Sequence, residues 1–174
     1  GGKATAMAAA GASVVAADLR PSRLGLVADN AERLGHDMAL VAADGRLPPF
    51  RPGAFDRVLV DAPCSGLGVL RRRADARWRT GPADVEELAD LQVDLLTAAA
   101  GLVRPGGLLF YSVCTLTSAE TSGVDRRFRE ATGLVSGPPL GAPWRPYGDD
   151  GAGGLLLPQD LDSEGMAVFR YRID

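Results

Sequence analysis

Two stretches of this 174-residue chain concentrate reactive side chains. Asp61-Ala62-Pro63-Cys64-Ser65-Gly66-Leu67-Gly68 packs a carboxylate, a rigid proline and a thiol into four residues, and Tyr111-Ser112-Val113-Cys114-Thr115-Leu116 carries the second of the two cysteines. An ionised thiol is a nucleophile and a carboxyl group can give or take a proton, so such neighbours suit covalent catalysis assisted by an acid or base. Taken alone, the first stretch also has a plain structural reading, with Asp61 forming a turn and Cys64 filling core.

Both stretches follow apolar runs of strand length. Phe55 to Val60 and Leu108 to Val113 read as buried strands that stop at turn residues, which puts Asp61 and Cys114 at strand ends. In open α/β sheets that carboxyl edge is where ligands bind. Ser13 to Asp18 reads as a third buried strand, ending in an acid, and Met38 to Ala42 as a fourth, followed by Ala43-Asp44-Gly45. Asp18, Asp44 and Asp61 are thus expected at one edge. The opening Gly1-Gly2-Lys3-Ala4-Thr5 looks like a glycine loop leading into a helix that Gly11 ends. Such a loop normally follows a strand, so the chain is expected to begin inside a domain whose first strand is missing upstream. Asp18, sixteen residues after Gly2, suits hydrogen bonding to a ribose diol, or else a helix cap.

The remaining elements are read from spacing. Pro21 to Leu34 is a helix closed by Gly35, and His36 is a solvated loop residue. After Gly81-Pro82 an amphipathic helix carries Val85, Leu88, Leu91, Leu95, Leu96, Leu102 and Val103, with Pro105-Gly106-Gly107 as its stop. Thr117 or Ser118 caps a further helix through Phe128, whose arginines face water or RNA. Gly133 to Pro158 is a long loop with one short strand near Leu134 to Ser136, and Met166 to Ile173 is a strand that closes the sheet.

A hydrophobic content of 46% can fill the core of one domain spanning residues 1–174. The net charge of −3 excludes a uniformly basic nucleic-acid binder, so any polyanion contact must be a local patch. Residues 71 to 79 offer one, with Arg71, Arg72, Arg73, Arg77 and Arg79 around Trp78. A solvated charged loop is the plain reading; phosphate contact with base stacking is the other. Two cysteines and no signal-like start imply free thiols in a reducing compartment, the cytoplasm. No run reaches the length needed to cross a bilayer.

Together, Gly1-Gly2-Lys3, Asp18, Asp44, Asp61-Ala62-Pro63-Cys64-Ser65-Gly66, Arg71-Arg72 with Trp78, and Tyr111-Ser112-Val113-Cys114-Thr115-Leu116 occur in the order seen in RNA 5-methylcytosine methyltransferases. The chain resembles most closely the Sun (Fmu) branch, which acts on small-subunit ribosomal RNA. The resemblance runs on through Leu157-Pro158 and Glu164-Gly165-Met166. It implies an α/β fold, a Rossmann-like class I methyltransferase with a doubly wound sheet of order 3-2-1-4-5-7-6 and an antiparallel hairpin near the end. It implies S-adenosyl-L-methionine as cofactor, held by the Gly1-Gly2-Lys3 turn, by Asp18 at the ribose, by Asp44 at the adenine and by Asp61. It implies RNA, ribosomal in this branch, as partner, with Arg71, Arg72, Arg77 and Trp78 holding the displaced nucleotide or its phosphates, and neither metal nor membrane.

The chemistry accounts for two thiols. Carbon 5 of cytosine is a poor nucleophile until a thiolate adds at carbon 6, and a carboxyl group at ring nitrogen 3 eases that attack. By resemblance, Cys114 is the covalent nucleophile, Cys64 assists product release, and Asp61 serves nitrogen 3. DNA 5-methylcytosine enzymes use the cysteine of their Pro-Cys pair, so the reverse assignment is the rival. A methyltransferase acting on an amino nitrogen needs no thiol, and a dehydrogenase would show a fuller glycine signature. The alternative from another class is a catalytically silent RNA-binding or assembly module that keeps the fold.

Overall fold

Strands pair in two separate sheets, of orders β1-β2 and β3-β4-β7-β6-β5, in a computed structural model that describes residues 1–75, 78 and 80–174. Each sheet belongs to one of two units, residues 1–49 and 50–174.

The first unit runs α1 (Gly2–Ala9), β1 (Val15–Asp18), α2 (Pro21–Arg33) and β2 (Ala39–Ala42). Gly1 is the N-cap of α1, so the expected glycine loop amounts to the helix start itself. Pro21 opens α2, where its missing N–H costs nothing, and Leu24, Val27 and Ala31 form the buried face. A β-carbon on Gly1 would lie 3.0 Å from the Val27 side chain, so α1 begins hard against α2. β1 and β2 are parallel with Asp18 opposite Ala42, which brings Asp18 and Asp44 to the carboxyl end of this pair. The expected burial of β1 is corrected: its residues alternate between exposed and half-buried, because a two-stranded sheet offers little cover.

The second unit contains β3 (Phe55–Asp61), α3 (Pro82–Ala100), β4 (Val103–Val113), α4 (Ser122–Thr132), β5 (Arg145–Tyr147), β6 (Gly153–Leu156) and β7 (Met166–Arg172). β3 and β4 are parallel, and β7 runs antiparallel between β4 and β6. Within each unit the pairings, β2-β1 in the first and β3-β4-β7-β6 in the second, follow the neighbour relations of the expected order, with β5 added at the edge of the second sheet. β7 therefore lies inside the sheet and does not close it. Its core packs Leu96, Leu109, Tyr111, Val113, Val124, Phe128, Phe169 and Tyr171, with the Phe128 and Tyr171 rings edge to face at 4.7 Å.

Four local expectations are corrected. Helix α3 buries Ala89, Gln92, Leu96 and Ala99, while Val85, Leu88, Leu91 and Leu95 are only half-buried beside that line. It ends at Gly101, and Leu102-Val103 lead into β4. There Phe55 pairs with Val103 but Arg57 with Leu108, so Pro105-Gly106-Gly107 is a bulge within a strand rather than a helix stop. Helix α4 starts at Ser122 because the Ser118 carbonyl accepts the Thr121 and Gly123 N–H groups, at 3.3 and 2.7 Å, in a separate turn. Of its arginines, Arg126 and Arg127 face water as expected, and Arg127 and Arg129 also reach carboxylates, Asp90 at 2.6 Å and Asp150 at 2.5 Å. Strands β5 and β6 fall in the expected loop. Glycines suppress the strand signal there, yet β-carbons on Gly153 and Gly154 would press into Phe169 and Trp144.

Candidate active site

The parallel ladder sets Asp61 opposite Ser112, and the Ala62 N–H continues it to the Ser112 carbonyl at 3.1 Å. Pro63 has no N–H to give, so the ladder ends and the chain turns away into the loop bearing Cys64. Two residues beyond Ser112, β4 has given way to Cys114. Adjacent strands thus deliver both thiols to one edge, with Cys64 Sγ and Cys114 Sγ 3.2 Å apart. Neither cysteine is in a disulfide and both are half-buried, and Asp61 is exposed at the strand end.

The two loops are stitched together. The Gly68 N–H donates to the Cys114 carbonyl at 3.0 Å, and the Gly165 N–H donates to the Gly68 carbonyl at 2.8 Å. Glu120 is fully buried behind the thiols. It accepts the Ser65 N–H at 2.7 Å and the Ser65 hydroxyl at 2.5 Å, and lies 3.0 and 2.8 Å from the Thr115 and Thr117 hydroxyls. Gln92 Nε2 lies 3.2 Å from Glu120 and donates to the Pro63 carbonyl at 2.8 Å. The Tyr111 hydroxyl is within 2.8 Å of Gln92 Oε1 and 2.6 Å of the Glu120 carbonyl.

Electrostatics favour the neutral form of Cys64. The hydrogen bond with Cys114, then burial, then the charge on Cys114 push the Cys64 thiol well above the ordinary thiol value of 9.0. A thiol held neutral is a proton carrier rather than a nucleophile. Burial, and after it the charges of Glu120 and Cys64, push the Tyr111 phenol up as well.

The other predicted residues are distributed as follows. Arg72 pairs with Glu164, and Arg71 with Asp162 at 2.5 Å. These arginines already have carboxylate partners, which the spacing of residues 71 to 79 could not reveal. Trp78 is 80% exposed, and Arg77 lies outside the described residues. In the first unit, Asp18 accepts the Arg20 N–H at 2.8 Å and lies 3.7 Å from Arg23. Asp44 is gripped by Arg46, whose N–H and Nη2 donate at 2.9 and 2.7 Å. Among the described residues no three His, Cys, Asp or Glu side chains cluster as metal ligands, and no helix is long and apolar enough to cross a membrane.

Residues 1–136 match the family described as 16S rRNA methyltransferase RsmB/F. The chain belongs to that family. Relatives include Rv1407 of Mycobacterium tuberculosis, which carries a methyltransferase name, 51% identical over 127 residues that make up 71% of this chain and 27% of that protein. Ribosomal RNA small subunit methyltransferase B of Klebsiella pneumoniae is 43% identical over 126 residues, 70% of this chain and 29% of that one. The chain thus spans under a third of these relatives' length. Among solved structures, PH0851 matches with a TM-score of 0.86 at 27% identity, over 92% of this chain and 37% of that one. NSun6 from Pyrococcus horikoshii, solved with SFG, matches with 0.82 at 28% identity, over 99% and 45%. The fold is that of the class I methyltransferases, as the RsmB/F family and the Sun-type resemblance imply.

Glu120, Gln92, Ser65, Thr115 and the Gly68–Gly165 contact escaped the sequence reading. One signal was present: each cysteine is followed by a hydroxyl residue, in Cys64-Ser65 and Cys114-Thr115.

Proposed function

We propose that this chain is the catalytic domain of an RNA (cytosine-5-)-methyltransferase that uses S-adenosyl-L-methionine and acts on small-subunit ribosomal RNA in the cytoplasm. The observation that carries this reading is the contact between two cysteine sulfurs, not joined in a disulfide, at the carboxyl edge of β3 and β4. Two thiols in one place have a purpose in carbon-5 chemistry and none in methylation of an amino nitrogen.

Cys114 adds through sulfur to carbon 6 of the target cytosine, and the electron pair of the 5,6 double bond becomes available at carbon 5. Asp61 supplies a proton or hydrogen bond at nitrogen 3, which draws electron density from the ring and makes the attack feasible. When bound, S-adenosyl-L-methionine supplies an electrophilic methyl group on a sulfonium centre. In the release step the carbon-5 proton passes to water, the 5,6 double bond reforms and Cys114 is expelled; Cys64, whose thiol is held neutral, gives its proton to the departing sulfur and regains one from solvent.

The first unit's share is cofactor recognition. Asp18 sits at a strand end with its carboxylate only partly used by Arg20 and Arg23, so acceptor capacity remains for a ribose diol. A β-carbon on Gly2 would meet nothing within 4 Å, so the backbone there, between Gly1 and Lys3 at the α1 start, is open to close approach by the cofactor. Asp44 takes the adenine with its side chain held still by Arg46. On the RNA side, Trp78 stacks on a base, and Arg71 and Arg72 exchange their carboxylates for phosphates; the resemblance assigns Arg77, outside the described residues, to RNA as well.

Covalent trapping tests the reading. With a small-subunit ribosomal RNA transcript and methyl-labelled cofactor, Cys64→Ala should leave a protein–RNA adduct that survives denaturing electrophoresis, and Cys114→Ala should form none and transfer no methyl group. An adduct from the Cys114 variant alone reverses the roles. Wild-type protein that neither transfers methyl nor forms adducts in either variant is a silent binding module.

A further inference from the structure

A loop can place a sulfur reproducibly only if the backbone on either side of it is fixed. Around Cys64 this is done without strand pairing. The Pro63 carbonyl, in the peptide before Cys64, accepts Gln92 Nε2 at 2.8 Å. The Ser65 N–H, in the peptide after it, donates to Glu120 Oε1 at 2.7 Å. Both peptide planes flanking the Cys64 α-carbon are therefore pinned, which fixes the two dihedrals that aim its side chain.

The same carboxylate holds the other thiol loop. Glu120 Oε2 lies 3.0 Å from the hydroxyl of Thr115, the residue after Cys114, and 2.5 Å from that of Ser65, the residue after Cys64. Those two hydroxyls are 2.9 Å from each other. Thr117 Oγ1 adds a contact at 2.8 Å. A carboxylate is acceptor-only, with about four lone-pair positions, so it can gather donors from several directions at once. Glu120 meets donors from Ser65 beyond β3, Gln92 on α3, and Thr115 and Thr117 beyond β4. A buried carboxyl group is costly unless so paired, and the cost here sits behind the two sulfurs.

We infer that Glu120, backed by Gln92, is a positioning residue that sets the separation of the Cys64 and Cys114 sulfurs by holding the residue after each. The inference rests on the two-thiol chemistry proposed above. Glu120 acts through the hydroxyl and N–H groups of the residues that follow the two cysteines. Substitution by Gln keeps its length and one acceptor oxygen, and its amide can donate to hydroxyls free to turn round. Substitution by Ala removes every contact at once.

The test reads the sulfur separation directly, without RNA or cofactor. Diamide oxidises a thiol pair: the S–S bond forms, and two protons and two electrons pass to the reagent's N=N bond, which becomes a hydrazine. The rate of Cys64–Cys114 disulfide formation is followed by mass spectrometry after quenching with iodoacetamide. Glu120→Ala should slow it by about 10-fold or more, since intramolecular reaction rates follow placement steeply. Glu120→Gln should fall between that variant and wild type, near ~3-fold slower on the same basis. Tyr171→Phe is the stability control, because it loses only a buried hydroxyl bonded to Asp125 at 2.9 Å; it should cross-link at the wild-type rate. A Glu120→Ala rate within twofold of wild type, or equal slowing in Tyr171→Phe, overturns the inference. If Glu120→Ala does not fold, Glu120→Gln decides, and a wild-type rate there overturns it. Wild-type protein that transfers no methyl group, while its cross-linking still depends on Glu120, sinks the methyltransferase reading and supports the positioning role.

Discussion

Gly68 and Gly165 meet backbone to backbone: the Gly165 N–H donates to the Gly68 carbonyl at 2.8 Å, and a β-carbon on Gly68 would overlap the Gly165 carbonyl oxygen and lie 2.9 Å from that of Cys114. The obstacles are main-chain atoms, which cannot swing aside as a side-chain tip can. Gly68→Ala should therefore destabilise by about 1–3 kcal/mol, the usual cost of overpacking, and should widen the sulfur pair. Urea unfolding checks the first effect and diamide cross-linking the second. Wild-type values in both would mean that the loop has slack.

Asp44 presents a quantitative test in the first unit. The side-chain hydrogen bonds of Arg46, then its backbone N–H, lower the Asp44 carboxyl from 3.8 to about 2, with the charge of Arg46 a smaller contribution. Because the folded value is depressed, any associated stability is present above 3.8 and lost as pH falls through about 2. NMR titration of the Asp44 carboxyl should find that low value, and Arg46→Ala should return it toward the ordinary one. Asp18→Ala should weaken S-adenosyl-L-methionine binding by on the order of 1–3 kcal/mol, the loss expected for charge-assisted hydrogen bonds, as measured by calorimetric titration. Unchanged affinity would remove Asp18 from the cofactor site.

The thiol edge was legible because Pro63, Gly66 and Gly68 mark so plainly where β3 stops, and because Cys114 follows a run, Leu108 to Val113, in which only Ser112 interrupts large or β-branched residues. The buried carboxylate was not. Thr117-Ser118-Ala119-Glu120 has the form of a helix capping box, and Thr117 Oγ1 does meet Glu120, but the carboxylate turns inward to Ser65 instead of crowning a helix. Gln92 was hidden in the same way, one amide among apolar residues at helical spacing. The partners of Arg71 and Arg72 lie 91 and 92 residues away, a separation that no local pattern encodes. The bulge at Pro105-Gly106-Gly107 used the residues of a helix stop for another purpose, since Gly106 takes a φ of 77° within β4.

Those distant partners give the arginine loop a measurable signature. Arg72 holds Glu164 in an exposed pair, with Nη2 and Oε2 2.7 Å apart, and Arg71 holds Asp162. Exposed pairs add little stability, so Glu164→Gln should leave the urea midpoint nearly unchanged. If Arg72 must leave Glu164 to reach a phosphate, the same variant should bind RNA more tightly. Arg72→Ala should weaken RNA binding and lower the slope of log affinity against log salt by about 1, as expected for one lost phosphate contact. Filter binding at several salt concentrations checks both. Tighter binding by Arg72→Ala would show that the loop serves the protein and not the RNA.

The sulfur pair also predicts how the protein responds to alkali. Its hydrogen bond with Cys114, with burial and the charge of Cys114 behind it, raises the Cys64 thiol above 9.0, so the folded state holds this proton more tightly than the unfolded chain does. The resulting stability is complete below 9.0 and drains away as pH rises from there toward the raised value. Cys64→Ser removes a group that ionises in the unfolded chain, so the fall in stability between pH 8 and pH 10 should be shallower in that variant than in wild type, as read by urea unfolding at each pH. Iodoacetamide at pH 8 should label Cys64 more slowly than a free peptide thiol, since only the thiolate reacts. A Cys64 that alkylates as fast as a free thiol would place the shared proton on Cys114, and the two sulfurs would exchange the roles assigned to them.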